Sequence, residues 1–360
     1  MSARIKTLIL FVLIALLVAA CAPAPEATPA ATEAPAPAAT EAPAPAATEE
    51  SAPAPAEEPF RIAMIMPSAI NDLAFSQSIY DAVVAMQTEM GGPDKLDFVY
   101  SENMFVVDDA AAAIRDYASQ GYDLVIAHGS QYGSSLREIA PDFPEVSFAH
   151  GTTVDTFVNE GINNVFAYEA AADQGGYVNG VMAAMLTQSG VIGVVGPIET
   201  GDAKLYIDGF NAGVKATNPD AVVNINYIGS FSDVALASEA ANTHVAAGAD
   251  VLTGTAQMVV GAIGVAEENG ALWFGTQSSQ TSLAPDIVVA NQVYDWTVVL
   301  RDIISQIQSG TLGGTSYNIT LENGGLVMDY NSAYSLPADV RAAADAASQG
   351  IIDGSITVMP

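Results

Sequence analysis

From residue 60 onward, short apolar runs alternate with longer stretches of mixed polarity. RIAMIMP (61–67), LDFVYS (96–101), DLVIA (123–127), VSFAH (146–150), NNVFAY (163–168), VIGVVG (191–196), AVVNINYIG (221–229), DVLTG (250–254), ALWFGT (271–276) and IVVANQV (287–293) read as strands. Most are apolar at successive positions rather than at every second one, the pattern of strands that meet no water on either face. The stretches between them predict helices over 73–90, 108–120, 133–141, 170–188, 203–217, 233–247, 257–269 and 295–309. The tail, 315–360, reads as a hairpin and a final helix. Strict strand–helix alternation predicts an α/β chain with parallel sheets covered by helices on both faces. About ten such units are too many for one comfortable open sheet, so two doubly wound lobes are expected. Ligands of such sheets bind beyond the carboxyl ends of the strands, and two facing lobes would form a cleft there that closes about a hinge.

The chain before residue 60 follows a different pattern. Arg4 and Lys6 precede an uninterrupted apolar run from Leu8 to Ala20. At ~1.5 Å per residue this run reaches about 20 Å, short of a ~30 Å hydrocarbon core, so it reads as a signal peptide over 1–20 and not as a spanning helix. It ends in Val18-Ala19-Ala20-Cys21, similar to a bacterial lipobox, which implies lipidation of Cys21, the chain's single cysteine. Residues 21–58 are then the lipidated Cys and a linker of Ala, Pro, Thr and Glu that cannot bury enough apolar surface to order itself. An extended polyproline path over 22–58 would reach at most about 115 Å.

Charge narrows the function. The chain has 360 residues, with 10 Lys+Arg against 41 Asp+Glu and a net charge of -31, which argues against nucleic acid as a partner. One Cys excludes a disulfide framework, and His128, His150 and His244 show no metal-ligand spacing, so no metal or other cofactor is implied. No phosphate loop is present, because Gly196-Pro197-Ile198-Glu199-Thr200-Gly201-Asp202 lacks the Lys. Ser130 beside His128 is one residue off a nucleophile elbow, and no catalytic residue is assigned. Asp72 and Asp233 each open a helix and are expected to cap it.

Several short segments, in order, resemble the basic membrane protein family, lipoprotein substrate-binding components of ABC importers related to a purine nucleoside receptor. They include Ile70-Asn71-Asp72-Leu73-Ala74-Phe75-Ser76, Gly129-Ser130-Gln131-Tyr132, Pro144-Glu145-Val146-Ser147-Phe148-Ala149 and Gly175-Gly176-Tyr177-Val178-Asn179-Gly180. Asp208-Gly209-Phe210-Asn211-Ala212-Gly213, Gly229-Ser230-Phe231-Ser232-Asp233 and Gly248-Ala249-Asp250-Val251 complete the series.

The resemblance implies a type I periplasmic-binding-protein fold, two lobes joined by a three-crossover hinge. The bilobal domain would span 59–360, with one lobe over about 59–165 plus 290–310 and the other over about 166–289 plus the C-terminal tail. It implies an extracytoplasmic protein held to the membrane by its lipid, an ABC permease as partner, and a small polar ligand, a nucleoside or nucleobase, in the cleft. A hydrolase acting on such a ligand, or a ligand sensor without transport, are the alternatives.

By position the stacking rings would be Phe75 and Phe231. Asn71, Asp72, Ser76, His128, Ser130, Gln131, Gln257, Gln277 and Tyr294 complete the expected ligand-binding set. The chain departs from the family pattern at Met66, where an Asp is usual, and at Gln277 and Ser279, where two carboxylates are usual. It departs again at Tyr294, near an expected Lys, and at Gln257, where a Gly is usual. The expected cleft is therefore neutral and amide-rich.

Overall fold

Each apolar run becomes a strand because its residues are buried from both sides. In a computed structural model, which describes residues 58–358, the order is β1 (Phe60–Ile65), α1 (Phe75–Met90), β2 (Leu96–Ser101), α2 (Val107–Ser119), β3 (Leu124–His128), α3 (Gly133–Ile139), β4 (Ser147–Gly151) and β5 (Val165–Ala170). There follow α4 (Ala172–Leu186), β6 (Val191–Gly196), α5 (Gly201–Thr217), β7 (Val222–Tyr227), α6 (Val234–Ala246), β8 (Val251–Gly254), α7 (Val259–Asn269), β9 (Leu272–Gln277) and β10 (Val288–Tyr294). The chain ends with α8 (Thr297–Gln308), β11 (Ser316–Ile319), β12 (Leu326–Tyr330) and α9 (Ala338–Ile352). Successive residues of β1 feed opposite cores: Ile62 and Met64 enter one hydrophobic cluster, Ala63 and Ile65 another. The edge strands are the exceptions: Val222 and Ile225 of β7, Tyr100 of β2 and Val327 of β12 are exposed. The signal segment, Cys21 and the Pro-rich stretch lie outside the described residues.

The strands form two six-stranded sheets, ordered β11-β5-β4-β3-β1-β2 and β12-β10-β9-β8-β6-β7. Pairing is parallel throughout except between β10 and β12. In each sheet the strand order reverses beside the first strand, between β1 and β3 and between β6 and β8, where loops diverge and leave a crevice.

Sheet membership shifts the expected lobe limits. β5 pairs with β4 and β11 as far as Ala170, so the chain leaves the first sheet at Ala171 and not at 165. β10 pairs with β9 in the second sheet. Of the stretch 290–310, α8 returns to the first lobe, where Arg301 grips Glu89 of α1 at 2.7 Å. The expected hairpin in the tail does not form. β11 extends the first sheet beside β5, and β12 extends the second beside β10. The Asn323-Gly324 turn between them is instead the third of three crossovers, after β5→α4 and β10→α8. Buried strand runs look alike whichever sheet they join, which is why periodicity placed these boundaries poorly.

Within the second lobe, α4 and α5 pack backbone to backbone. A Cβ added at Gly209 or Gly213 of α5 would press into the carbonyl oxygens of Asp173 or Tyr177 of α4. One added at Gly176 or Gly180 would meet those of Tyr206 or Phe210. Two of the sequence segments that resemble the basic membrane protein family therefore serve helix packing.

Candidate ligand-binding site

The carboxyl ends of both sheets converge on one cavity. Its lining comes from the residues that follow β1 (Pro67), β3 (Gly129, Ser130, Gln131), β4 (Thr152), β6 (Thr200), β7 (Phe231) and β8 (Gln257). Phe75 at the start of α1, Phe105, the first turn of α5 (Gly201, Asp202, Ala203) and Gln277, the last residue of β9, complete it. It encloses about 460 Å³ of space not filled by atoms, open solvent at the mouth included.

Phe75 is 8% exposed, and its back lies against His128 with centroids 3.9 Å apart and planes 19° from parallel. Behind His128 stand Tyr168, at 5.8 Å, and Trp296, edge-on to Tyr168 at 5.0 Å. His128 is completely buried. Its Nδ1 is 2.7 Å from the Tyr168 hydroxyl and its Nε2 is 3.2 Å from the Phe75 carbonyl. A carbonyl only accepts, so Nε2 carries the proton and Nδ1 accepts from Tyr168. Burial pushes the imidazolium form down to a pKa of about 3. With both nitrogens committed, His128 makes no pair with Ser130, which is exposed at the cavity.

The two lobes touch around the loop before α1. Gln257 Nε2 donates to Ser68 Oγ (3.0 Å), Ser278 Oγ to the Ala74 carbonyl (3.1 Å) and Thr152 Oγ1 to Asp202 (3.5 Å). Asp72 holds that loop by accepting from the backbone N–H groups of Ala74, Ser76 and Gln77 and from Ser68 Oγ, at 2.5–3.1 Å. Asp233 caps α6 through the N–H of Leu236 (2.9 Å). Three non-glycine residues at or beside the cavity have left-handed backbone: Leu73 (φ 52°), Ala256 (φ 76°) and Gln277 (φ 74°). Such conformations cost about 1–3 kcal/mol each, and they gather where a loop must aim a side chain at a ligand.

Of the residues expected in the site, Phe75, Ser130, Gln131, Phe231, Gln257 and Gln277 line the cavity together. Five do not. Asn71 is exposed on the loop, and Asp72 serves the helix terminus. Ser76 is buried against Ser68 (2.7 Å). His128 lies behind Phe75, and Tyr294 lies behind Asp202, its hydroxyl 3.2 Å from Oδ2.

The expectation of a neutral cleft is corrected by Asp202, a carboxylate in the lining that sequence reasoning missed. It was legible only as the residue after Thr200-Gly201, because the predicted helix began at 203 and left it in a loop. Burial raises its pKa, against the lowering effect of donors from Gln277, Tyr294 and the helix backbone. Thr152 and Phe105 were missed as well, since neither lies in a segment with a motif.

Comparison with known proteins agrees with this architecture. Residues 60–357 match the family model for PnrA-like ABC transporter substrate-binding proteins. A purine-binding protein of Brucella abortus is 29% identical over 218 residues, 61% of either chain. The nucleoside-binding protein BmpA of Lactococcus lactis is 26% identical over 81% of this chain and 86% of its own. A solute-binding protein of an ABC transporter system from Conexibacter woesei superposes with a TM-score of 0.68 at 26% identity, over 83% of this chain and 98% of that one. The chain therefore has the type I periplasmic-binding fold and belongs to the family of PnrA-like ABC transporter substrate-binding proteins.

Proposed function

We propose that this chain is the lipid-anchored, extracytoplasmic receptor of an ABC importer and captures a nucleoside or nucleobase between its lobes. The observation that carries this reading is the cavity at the carboxyl ends of both sheets, lined by Phe75, Phe105 and Phe231 with the polar side chains of Ser130, Gln131, Thr152, Thr200, Asp202, Gln257 and Gln277 among them. A flat heterocycle gains from aromatic faces that bury its area, and a polar lining then sets its orientation. Relatives named for purine and nucleoside binding support the ligand class. The bonds from Ser278 and Gln257 to the loop before α1 are contacts that a closed cleft makes and an open one releases. A ligand that touches both lobes draws the equilibrium toward closure by its differential affinity, and the closed form is what a permease would recognise. Cys21 would carry the lipid, and the Ala/Pro/Thr/Glu stretch would hold the receptor off the membrane.

Calorimetric titration of the full chain in detergent against purine and pyrimidine nucleosides and bases tests the ligand class. Saturable heat with at least one member is expected. No heat and no thermal shift with any of them would overturn the nucleoside reading.

A further inference from the structure

Among the described residues Asp202 is the one charged residue in the cavity lining, and it is only 7% exposed. Its side-chain partners all stand at a distance: Tyr294 hydroxyl 3.2 Å, Gln277 Nε2 3.3 Å and Thr152 hydroxyl 3.5 Å. Donors seated on a carboxylate come to about 2.7–2.9 Å from nitrogen and about 2.5–2.7 Å from oxygen. Among the described residues no Lys, Arg or His lines the cavity and no ion pair reaches Asp202. The backbone N–H groups of Asp202 and Ala203 at the start of α5 add to these, but no charged partner does, and a buried carboxylate held only by neutral donors has acceptor capacity for a ligand's paired hydrogens.

Two more acceptors in the lining lack partners. The amide oxygens of Gln257 and Gln277 are buried and unbonded. Their orientation follows from their neighbours. Gln277 must turn its nitrogen toward the acceptor-only carboxylate of Asp202. Gln257 must turn its nitrogen to Ser68 Oγ, because that hydroxyl gives its own proton to Asp72. Orphaned buried acceptors cost free energy until a donor arrives. The lining thus combines one carboxylate, two open carbonyl oxygens, aromatic walls and no cation.

We propose that Asp202 is the specificity-determining residue of the cleft, and that it selects a planar ligand carrying an amidine-type edge, a ring N–H beside an amino group. Two parallel hydrogens on such an edge match the two oxygens of a carboxylate. Among nucleosides and bases this favours the guanine type over the hypoxanthine type, which has the same ring N–H and lacks the amino group. The proposal rests on the reading of the cleft as a heterocycle site.

The test compares guanosine with inosine by calorimetry on the full chain in detergent, then repeats the comparison on Asp202→Asn, with benzamidine as a planar amidine that is not a nucleoside. Wild type is expected to prefer guanosine by about tenfold or more, since a site built to take a ligand donor rejects the analogue without it. Asp202→Asn is expected to lose that preference and also to unfold at higher temperature without ligand, because an under-paired buried charge has been removed. Benzamidine is expected to raise the melting temperature of wild type and not of Asp202→Asn. If benzamidine behaves so while no nucleoside binds, the nucleoside reading fails and the role of Asp202 stands. Equal affinity for guanosine and inosine in wild type overturns the proposal. So does a lower melting temperature for unliganded Asp202→Asn, or the absence of any Asp202-dependent response to either probe.

Discussion

The ring of Phe75 is held in place by a histidine that must stay neutral, and this makes acid a selective perturbation of the site. His128 has a folded pKa of about 3 because burial excludes its charged form, against an unfolded value of about 6.5. The folded value lies below the unfolded one, so the unfolded chain binds more protons between these limits and stability rises with pH across that window. His128's contribution is therefore fully present above pH 6.5 and is lost progressively as the pH falls toward 3. At pH 5.0 the unfolded imidazole gains about 2 kcal/mol from its proton, 1.5 pH units at about 1.36 kcal/mol each, while the folded one gains almost nothing. Urea unfolding of wild type at pH 7.5 and 5.0, set beside His128→Gln, isolates this effect. His150, held down to about 4 by burial, acts in both proteins and cancels from the difference. The wild-type loss between the two pH values should exceed that of the variant by about 2 kcal/mol. The chain has three histidines, so their ring protons can be assigned by NMR, and that of His128 should not titrate between pH 7.5 and 5.0. An inflection near 6.5 at His128, or equal pH dependence in both proteins, would refute the reasoning.

Phe75→Ala should weaken the bound heterocycle by about 1–3 kcal/mol, as for other base–aromatic contacts, read by calorimetry against wild type; unchanged affinity removes Phe75 from the site. Gly209→Ala places a methyl group against the Asp173 carbonyl. After a helix-propensity gain of about 1 kcal/mol, overpacking should still lower the melting temperature by roughly 2–6 °C, and a rise would mean that α4 and α5 move apart freely. Cys21→Ala should shift the protein out of the membrane fraction on cell fractionation, and an unchanged distribution would contradict the anchor.

Strand and helix positions were legible to within a few residues because burial on both sheet faces writes long apolar runs between turn residues. β2 and β6 begin and end where the sequence places them. The lobe to which a strand belongs was not legible. β5, β10, β11 and β12 are assigned by pairing partners distant in sequence, and an Asn-Gly turn looks the same whether it closes a hairpin or crosses a hinge. The site divides in the same way. Phe75 and Phe231 could be placed from local motifs, and both line the cavity. His128 shares its strand end with the loop that lines the cavity, yet its side chain turns back into the core behind Phe75. Asp202 was passed over because the predicted helix begins at 203, whereas α5 begins at Gly201 and carries Asp202 to the cleft in its first turn. The acidic surplus of the chain gave no hint that one carboxylate among 41 acidic residues would be buried there.

The central claim is that a flat ligand binds between the lobes against Phe75 and Phe231. A crystal structure of the protein grown with guanosine tests it most directly. The expected result is a base lying on the Phe75 ring, with Phe231 on its other face and its amino edge toward Asp202. Density for guanosine anywhere outside the cleft, with both rings left uncovered, would contradict it.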